Sequence, residues 1–246
     1  MKETFENYTH WFTLRKNDLT SIVFERTNGI VVDGPFKGMK ILPKGAWGDG
    51  HPASKILGLY ECELYPYVEE AISRNPDLIL NIGSAEGFYG LGLALRTGVK
   101  TVLIDTWDVV LNIARENARE NNLNRVLFST DSSIPNYQHY LSNAERPFVV
   151  VDCEGGELHF LDPALIPELS KSIILVESHD CVTPGITNTL VQRFSDTHTV
   201  HVISQGAKNP HIDILKDDFS DYDKMILCCE ERPSTMYWLY MVPNEA

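Results

Sequence analysis

Asp152-Cys153-Glu154-Gly155-Gly156-Glu157 sets three carboxylates close together, and Glu177 and His179 follow further along. Carboxylates and an imidazole gathered in one place can take a proton from a hydroxyl. Oxygen ligands with one histidine can also hold Mg²⁺ or a similar divalent metal ion. Asp152, Glu154 and His179 are therefore candidate catalytic residues, with either His179 or Asp152 as the base. Asp152, Glu154, Glu157, Glu177 and His179 are candidate metal ligands. Carboxylates without a counter-charge repel one another and raise some of their own pKa values. The chain has 21 Lys and Arg against 34 Asp and Glu, a net charge of −13, and offers few basic residues near these positions. Something positive is expected among them: a cationic cofactor or acceptor, a divalent ion or a shared proton. The plainer alternative is that Glu154 and Glu157 cap or solvate the next helix while His179 packs in a loop.

The elements that must position such a cluster begin at Asp77. Leu78, Ile79, Leu80 and Ile82 make the short apolar run of a strand buried on both faces. Gly83-Ser84-Ala85-Glu86-Gly87 follows, then a helical apolar pattern through Leu91 and Leu95. Strand, glycine loop and helix form the opening unit of a nucleotide-binding α/β sheet, and amides at the helix start can face a polar group. Glycine after a strand also serves plain α/β turns. Lys100 to Ile104 is the next strand and ends on Asp105. That carboxylate stands 22 positions after Gly83, near the ~20-residue spacing at which an acid reaches a ribose hydroxyl pair. The glycine spacing is G-x-x-x-G-x-x-G, not the G-x-G-x-x-G of a pyrophosphate-binding loop. A ligand with a ribose and no pyrophosphate fits better, and S-adenosylmethionine is such a ligand. Gly83, Ser84, Ala85, Gly87 and Asp105 are its expected contacts.

LNIGSAEGFYG, VLIDTW and VVVDCEGGELHFLDP together resemble a class I S-adenosylmethionine-dependent methyltransferase over about residues 76 to 180. Asp152 to Glu157 resembles the D-x-E-G-x-E signature of the FkbM-type methyltransferases. The resemblance implies an α/β fold: a doubly wound, mostly parallel seven-stranded sheet of Rossmann-like type. Residues 76–246 would form the methyltransferase domain and 1–75 an accessory or lid segment, with Tyr60, Glu61 and Glu63 as lid or acceptor contacts unless they merely lead into a helix. Asn81, also expected to contact the cofactor, stands where the family often carries an acid for the methionine ammonium. Trp107 would cover the adenine face. Asp131 would accept from the adenine amine, or else is the N-cap of a helix from Ile134. The implied reaction is O-methylation of a small-molecule or sugar-type acceptor. Two other readings stay open. A nicotinamide-dependent oxidoreductase is weakened by the glycine spacing and by the lack of a tyrosine four residues before a lysine. A non-catalytic nucleoside-ligand-binding protein on the same fold is favoured by the uncharged Asn81.

With 43% hydrophobic and 10% aromatic residues, 246 residues can bury a sizeable core. The acidic balance, with no basic cluster, argues against a nucleic-acid partner. Five cysteines without a C-x-x-C pair read as reduced thiols of a cytoplasmic protein. The N-terminus has no apolar signal core, and no run reaches the ~18 apolar residues that span a membrane. Along the chain, strands are expected at 21–24 and 29–32 around the Asn28-Gly29 turn. A loop is expected at 34–39, irregular chain at 43–52, and a helix from Pro66 over Val68, Ala71 and Ile72. A helix over Val109 to Asn122 precedes strands at 125–128, 147–151 and 172–176. Residues 158–169 make a proline-broken helix, and Pro184 to Phe194 a full one. Strands at 197–204 and 235–242 form an antiparallel edge pair. Between them lies a polar insertion, 205–233, with one helix near Tyr222 to Cys229.

Overall fold

The computed structural model describes residues 2–43, 52–209 and 219–244. The interior of the expected irregular stretch, 44–51, and the middle of the insertion, 210–218, lie outside the described residues. The chain divides into two compact units, Met1–Cys62 with Ala207–Glu231, and Glu63–Gly206 with Arg232–Ala246.

The first unit holds helices α1 (Lys2–Thr27), α2 (Pro52–Leu57) and α9 (Asp221–Cys228). The expected strand at 21–24 is instead the end of α1. Among its residues with described burial, Lys16, Leu19, Thr20, Val23 and Thr27 are buried, a spacing of three and four that belongs to a helix. That stripe outweighs the β-propensity of Ile22, Val23 and Phe24. The expected strand at 29–32 reduces to one antiparallel bridge, Ile30 to Lys40. It is closed by Val31 N–H donating to Met39 O at 2.8 Å. Two cations of α1 are committed within this unit. Arg15 forks onto both oxygens of Asp223 at 2.8 and 2.9 Å, and buried Lys16 reaches Cys229 O at 2.8 Å and Glu231 Oε1 at 2.5 Å. Tyr60 and Glu61 lie in this unit, where Glu61 N–H donates to Glu230 Oε1 at 2.9 Å.

The second unit begins with α3 (Tyr65–Ser73), which the 1–75 division assigned to the leading segment. It continues through β1 (Leu78–Ile82), α4 (Phe88–Thr97), β2 (Lys100–Ile104), α5 (Asp108–Glu120), β3 (Val126–Ser129), α6 (Ile134–Ser142), β4 (Pro147–Val151), the short α7 (Glu157–Phe160), β5 (Ile173–Ser178), α8 (Ile186–Phe194), β6 (His198–Ser204) and β7 (Tyr237–Pro243). The seven strands make one sheet in the order β3-β2-β1-β4-β5-β7-β6. Strands β1 to β5 run parallel; β7 inserts antiparallel between β5 and β6. The doubly wound, mostly parallel α/β sheet expected from the sequence is the observed one.

Strands β1 and β4 are buried at every position, as central parallel strands covered on both faces must be. On one face Leu80, Val102, Val149 and Ile174 pack with Tyr137 and Leu141 of α6 and with Leu190 and Phe194 of α8. β5 runs two residues beyond Val176 because Glu177 and Ser178 pair with Trp238 and Tyr237 of β7. Strand order reverses at β1, whose neighbours are β2 and β4. In an open parallel sheet the crevice at that point, beyond the carboxyl ends of the strands, is where ligands bind. No helix of the described residues is long and apolar enough to cross a membrane.

Candidate active site

The glycine loop is held against the end of β4. Gly83 has φ +69°, and a Cβ there would lie 1.5 Å from the backbone oxygen of Asp152. Only glycine allows that approach. Gly87, at φ +91°, opens α4. Between them the Ser84 hydroxyl is buried without a hydrogen-bond partner. A buried unpaired hydroxyl is costly, and a ligand polar atom in the loop would satisfy it. Ala85, at φ +45°, donates its N–H to Asp105 Oδ2 at 2.9 Å, and Trp107 N–H donates to Asp105 Oδ1 at 2.9 Å. Asp105 therefore ties the glycine loop to the turn after β2. Asn117 Nδ2 on α5 holds Glu86 O at 3.1 Å, a contact the sequence reading missed. An asparagine on the otherwise apolar stripe of Val110, Ala114 and Ala118 was its signal.

Asn81 is buried in β1. Its Oδ1 accepts from Gly90 N–H at 3.1 Å, and its Nδ2 approaches Val150 O at 3.5 Å. The side chain thus serves one of the amides that the start of α4 leaves unpaired. Trp107, whose backbone N–H meets Asp105, is 43% exposed. Asp131 is exposed after β3 and accepts from Ser133 N–H at 2.9 Å. Bonds from the Ser133 hydroxyl and N–H hold its carboxyl below the usual range. The N-cap position of α6 is Ser133, not Asp131. Asp131 supports the cap from two residues before it.

The second group gathers where β4 and β5 end. Glu157 is fully buried, and its Oε1 meets His179 Nδ1 at 2.6 Å and accepts from Gly155 N–H at 3.1 Å. The other ring nitrogen, Nε2, lies 3.4 Å from Glu154, 3.6 Å from Asp152 and 3.6 Å from Glu177. Glu154 is 68% exposed at its side chain and stands at φ +54°, backbone strain of the kind found at functional sites. Asp180, next to His179, has a different task. It accepts from Gly185 N–H and Thr187 N–H and steadies the turn into α8.

One cation among these acids comes from the chain itself. Arg232 donates from Nη1 to Glu177 Oε1, with both side chains buried. The sequence reading missed Arg232, because it stands 55 residues from its partner inside an otherwise acidic insertion. Burial lowers the His179 pKa, but Glu157, Asp152 and Glu154 together outweigh it and raise the imidazole. Burial raises Glu157, and the bond to His179 and the nearby amides bring it below the usual range. Burial pushes Asp152 up to about 6; Glu154 adds to this, while His179, Arg232 and a hydrogen bond with Glu177 oppose it. Burial and the carboxylates of Glu157 and Asp152 raise the Cys153 thiol, which removes it as a nucleophile at neutral pH.

Of the five candidate metal ligands, Asp152, Glu154 and His179 bring ligand atoms within 4.8 Å of one another. Glu157 is committed to His179, and Glu177 to Arg232. The donor types suit a divalent ion. A ligating imidazole must be neutral, so an ion there would displace the His179 proton, and Arg232 already faces Glu177.

No family model matches the sequence, and no curated protein matches it. Solved structures do match the fold. A precorrin-6y C5,15-methyltransferase from Geobacter metallireducens superposes with a TM-score of 0.51 at 14% identity, over 73% of this chain and 88% of that one. A ribosomal protein L11 methylase from Lactobacillus delbrueckii subsp. bulgaricus gives a TM-score of 0.51 at 13% identity, over 84% and 86%. The chain has the class I methyltransferase fold. The named acceptors of those two enzymes are unalike, a precorrin and a ribosomal protein, so the fold leaves the acceptor to be argued from the site.

Proposed function

We propose that this chain is an S-adenosylmethionine-dependent methyltransferase of FkbM type that methylates a hydroxyl of a small, sugar-like or otherwise uncharged acceptor. One observation carries the reading. The glycine loop touches the backbone of Asp152, so a nucleoside-binding loop and a proton-accepting carboxylate share the crevice beside β1. Gly83 to Gly87 and Asp105 would hold the cofactor, with the Ser84 hydroxyl offering the unpaired polar contact. S-adenosylmethionine supplies, when bound, a methyl group already activated on a sulfonium. The chain must then orient the acceptor and take its proton.

Asp152 is the base in this reading. Its pKa of about 6 leaves it ionised at neutral pH yet basic enough to receive a hydroxyl proton. His179 is the orienting group. Its Nδ1–H is fixed on buried Glu157, and its Nε2–H faces Asp152 and Glu154. Exposed Glu154 is placed to accept from acceptor hydroxyls. Phosphorylated or carboxylated acceptors would be repelled by this acidic mouth. Arg232 and His179 are the cations of the site in this reading, and no step is routed through a divalent ion. Five free thiols are in keeping with a reducing compartment such as the cytoplasm.

The test uses the purified chain. S-adenosylmethionine or S-adenosylhomocysteine at millimolar concentration should raise Tm by mass action, and NAD should not. Labelled methyl transfer to a panel of hydroxylated acceptors should survive chelator. A flat Tm response to both sulfur nucleosides would sink the cofactor assignment, and turnover restored only by added Mg²⁺ or Mn²⁺ would sink the metal-free site.

A further inference from the structure

We infer that Arg232 is a positioning residue of the acceptor site: its buried ion pair with Glu177 fixes the charge and place of the carboxyl group beside Asp152. The inference rests on the reading of Asp152 as base. Arg232 touches no reacting atom in that scheme; it acts through Glu177. The guanidinium side chain is 8% exposed and its partner 3%, so the pair is held out of water. Breaking such a pair from one side is far more damaging than removing both charges.

The charged groups facing Asp152 come from each surrounding segment. Glu154 lies on the loop after β4, His179 and Glu177 come from β5 and its end, and Arg232 from the segment leading to β7. Behind His179 stands Glu157 of α7. Two cations stand among these four carboxylates, and Arg232 is the one whose charge does not titrate in any working range. Arg232 Nη1 holds Glu177 Oε1, while Glu177 Oε2 lies 3.6 Å from His179 Nε2. Without it, the carboxyl loses the contact that sets where Oε2 meets the imidazole.

Arg232 enters the sheet unit as the first residue after the 207–231 excursion. Nothing in the spacing of the D-x-E-G-x-E segment calls for a partner there. The pairing exists only because β7 returns between β5 and β6 and carries its leading residues past the end of β5.

The experiment compares Arg232→Met, Arg232→Lys and the double variant Arg232→Met/Glu177→Gln. Arg232→Met should lower kcat/KM by about 30-fold or more, as expected when a buried charge loses its partner. Its cofactor affinity should be unchanged, and the acidic limb of its pH–rate profile should move to higher pH. The lysine variant should keep most activity. The double variant should recover at least about tenfold over Arg232→Met, because both charges of the buried pair are then removed. Wild-type activity in Arg232→Met, or no recovery in the double variant, overturns the inference. Tm against pH reads the same charge balance without turnover. Arg232→Met should lose more Tm at pH 8 than at pH 5, and the double variant should erase that difference. If no acceptor is methylated by the wild type while this Tm pattern holds, the functional reading fails and the pairing stands. If the Tm pattern is absent, the pairing fails.

Discussion

Asp105 and Asp152 follow the two strands that flank β1, yet they meet opposite surroundings. Asp105 is held by main-chain amides, Ala85 N–H on one oxygen and Trp107 N–H on the other. Asp152 is surrounded by titratable side chains, His179, Glu154, Glu177 and, through Glu177, Arg232. Amides do not change charge, so Asp105 organises two loops and presents what remains of its acceptor capacity. Side chains exchange protons, so Asp152 can change state during a reaction. A strand ending on aspartate has one meaning in sequence and two in structure, and the partners decide between them.

The severest way to break this contrast is Gly83→Ala, which removes the contact that brings the two regions together. The added Cβ would meet backbone rather than a movable side chain, at 1.5 Å and with φ already at +69°. The loop and the end of β4 must then separate. We expect a loss of roughly 3 kcal/mol or more, beyond ordinary overpacking, read as a lower urea midpoint or as insoluble protein. A variant as stable as the wild type would show that the loop can withdraw from Asp152.

Asp152→Asn comes next and strikes one side alone. Turnover should fall by roughly 10²- to 10⁴-fold, the range of a lost general base, with cofactor binding intact. In the wild type kcat/KM should rise with pH and level off above about 6. Stability should move the other way. The folded-state pKa of Asp152 lies above its unfolded value of 3.8, so its favourable contribution is complete below about 4 and lost as pH rises through about 6. The neutral amide escapes that loss. At pH 8 the variant should therefore be more stable than the wild type, by about 1 kcal/mol once solvent screening and the weakened His179 contact are allowed for. An active Asp152→Asn enzyme would pass the role of base to His179.

The two regions were not equally legible. Runs such as LILNI, KTVLI and PFVVV show central parallel strands because burial on both faces leaves no alternation to misread. The strand-end acids follow directly from those runs, and so does the gathering of Asp152, Glu154, Glu157 and His179. Arg232 was hidden, since no local rule links an arginine in an acidic insertion to a strand end 55 residues earlier. Asn81 was read as a ligand contact because its position suggests one, while its hydrogen bonds to Gly90 and Val150 depend on how α4 and β4 pack. In the leading segment, Ser21 to Phe24 looked like a strand from composition. The stripe Lys16, Leu19, Thr20, Val23 and Thr27 pointed to a helix, but a buried lysine and two threonines disguise an apolar face.

Asp105→Ala is the mildest test and the one that separates organising from binding. The substitution leaves Ala85 and Trp107 N–H groups without their acceptor. Trp107 is exposed, so water replaces that bond, and the folding cost should be only about 1 kcal/mol. Cofactor affinity should fall about tenfold, the net value of charge-assisted bonds to ribose hydroxyls after solvent compensation. Asp105→Asn sharpens the result. It keeps one oxygen for an amide and a similar shape, so the loops should stay in place while the charge is lost. Weaker binding in both variants, measured by calorimetric titration, would mean that the carboxylate itself meets the ligand. Weaker binding only in the alanine variant would mean that Asp105 acts by holding the glycine loop. Unchanged affinity in both would move the ribose contact elsewhere and leave Asp105 with its two amides alone.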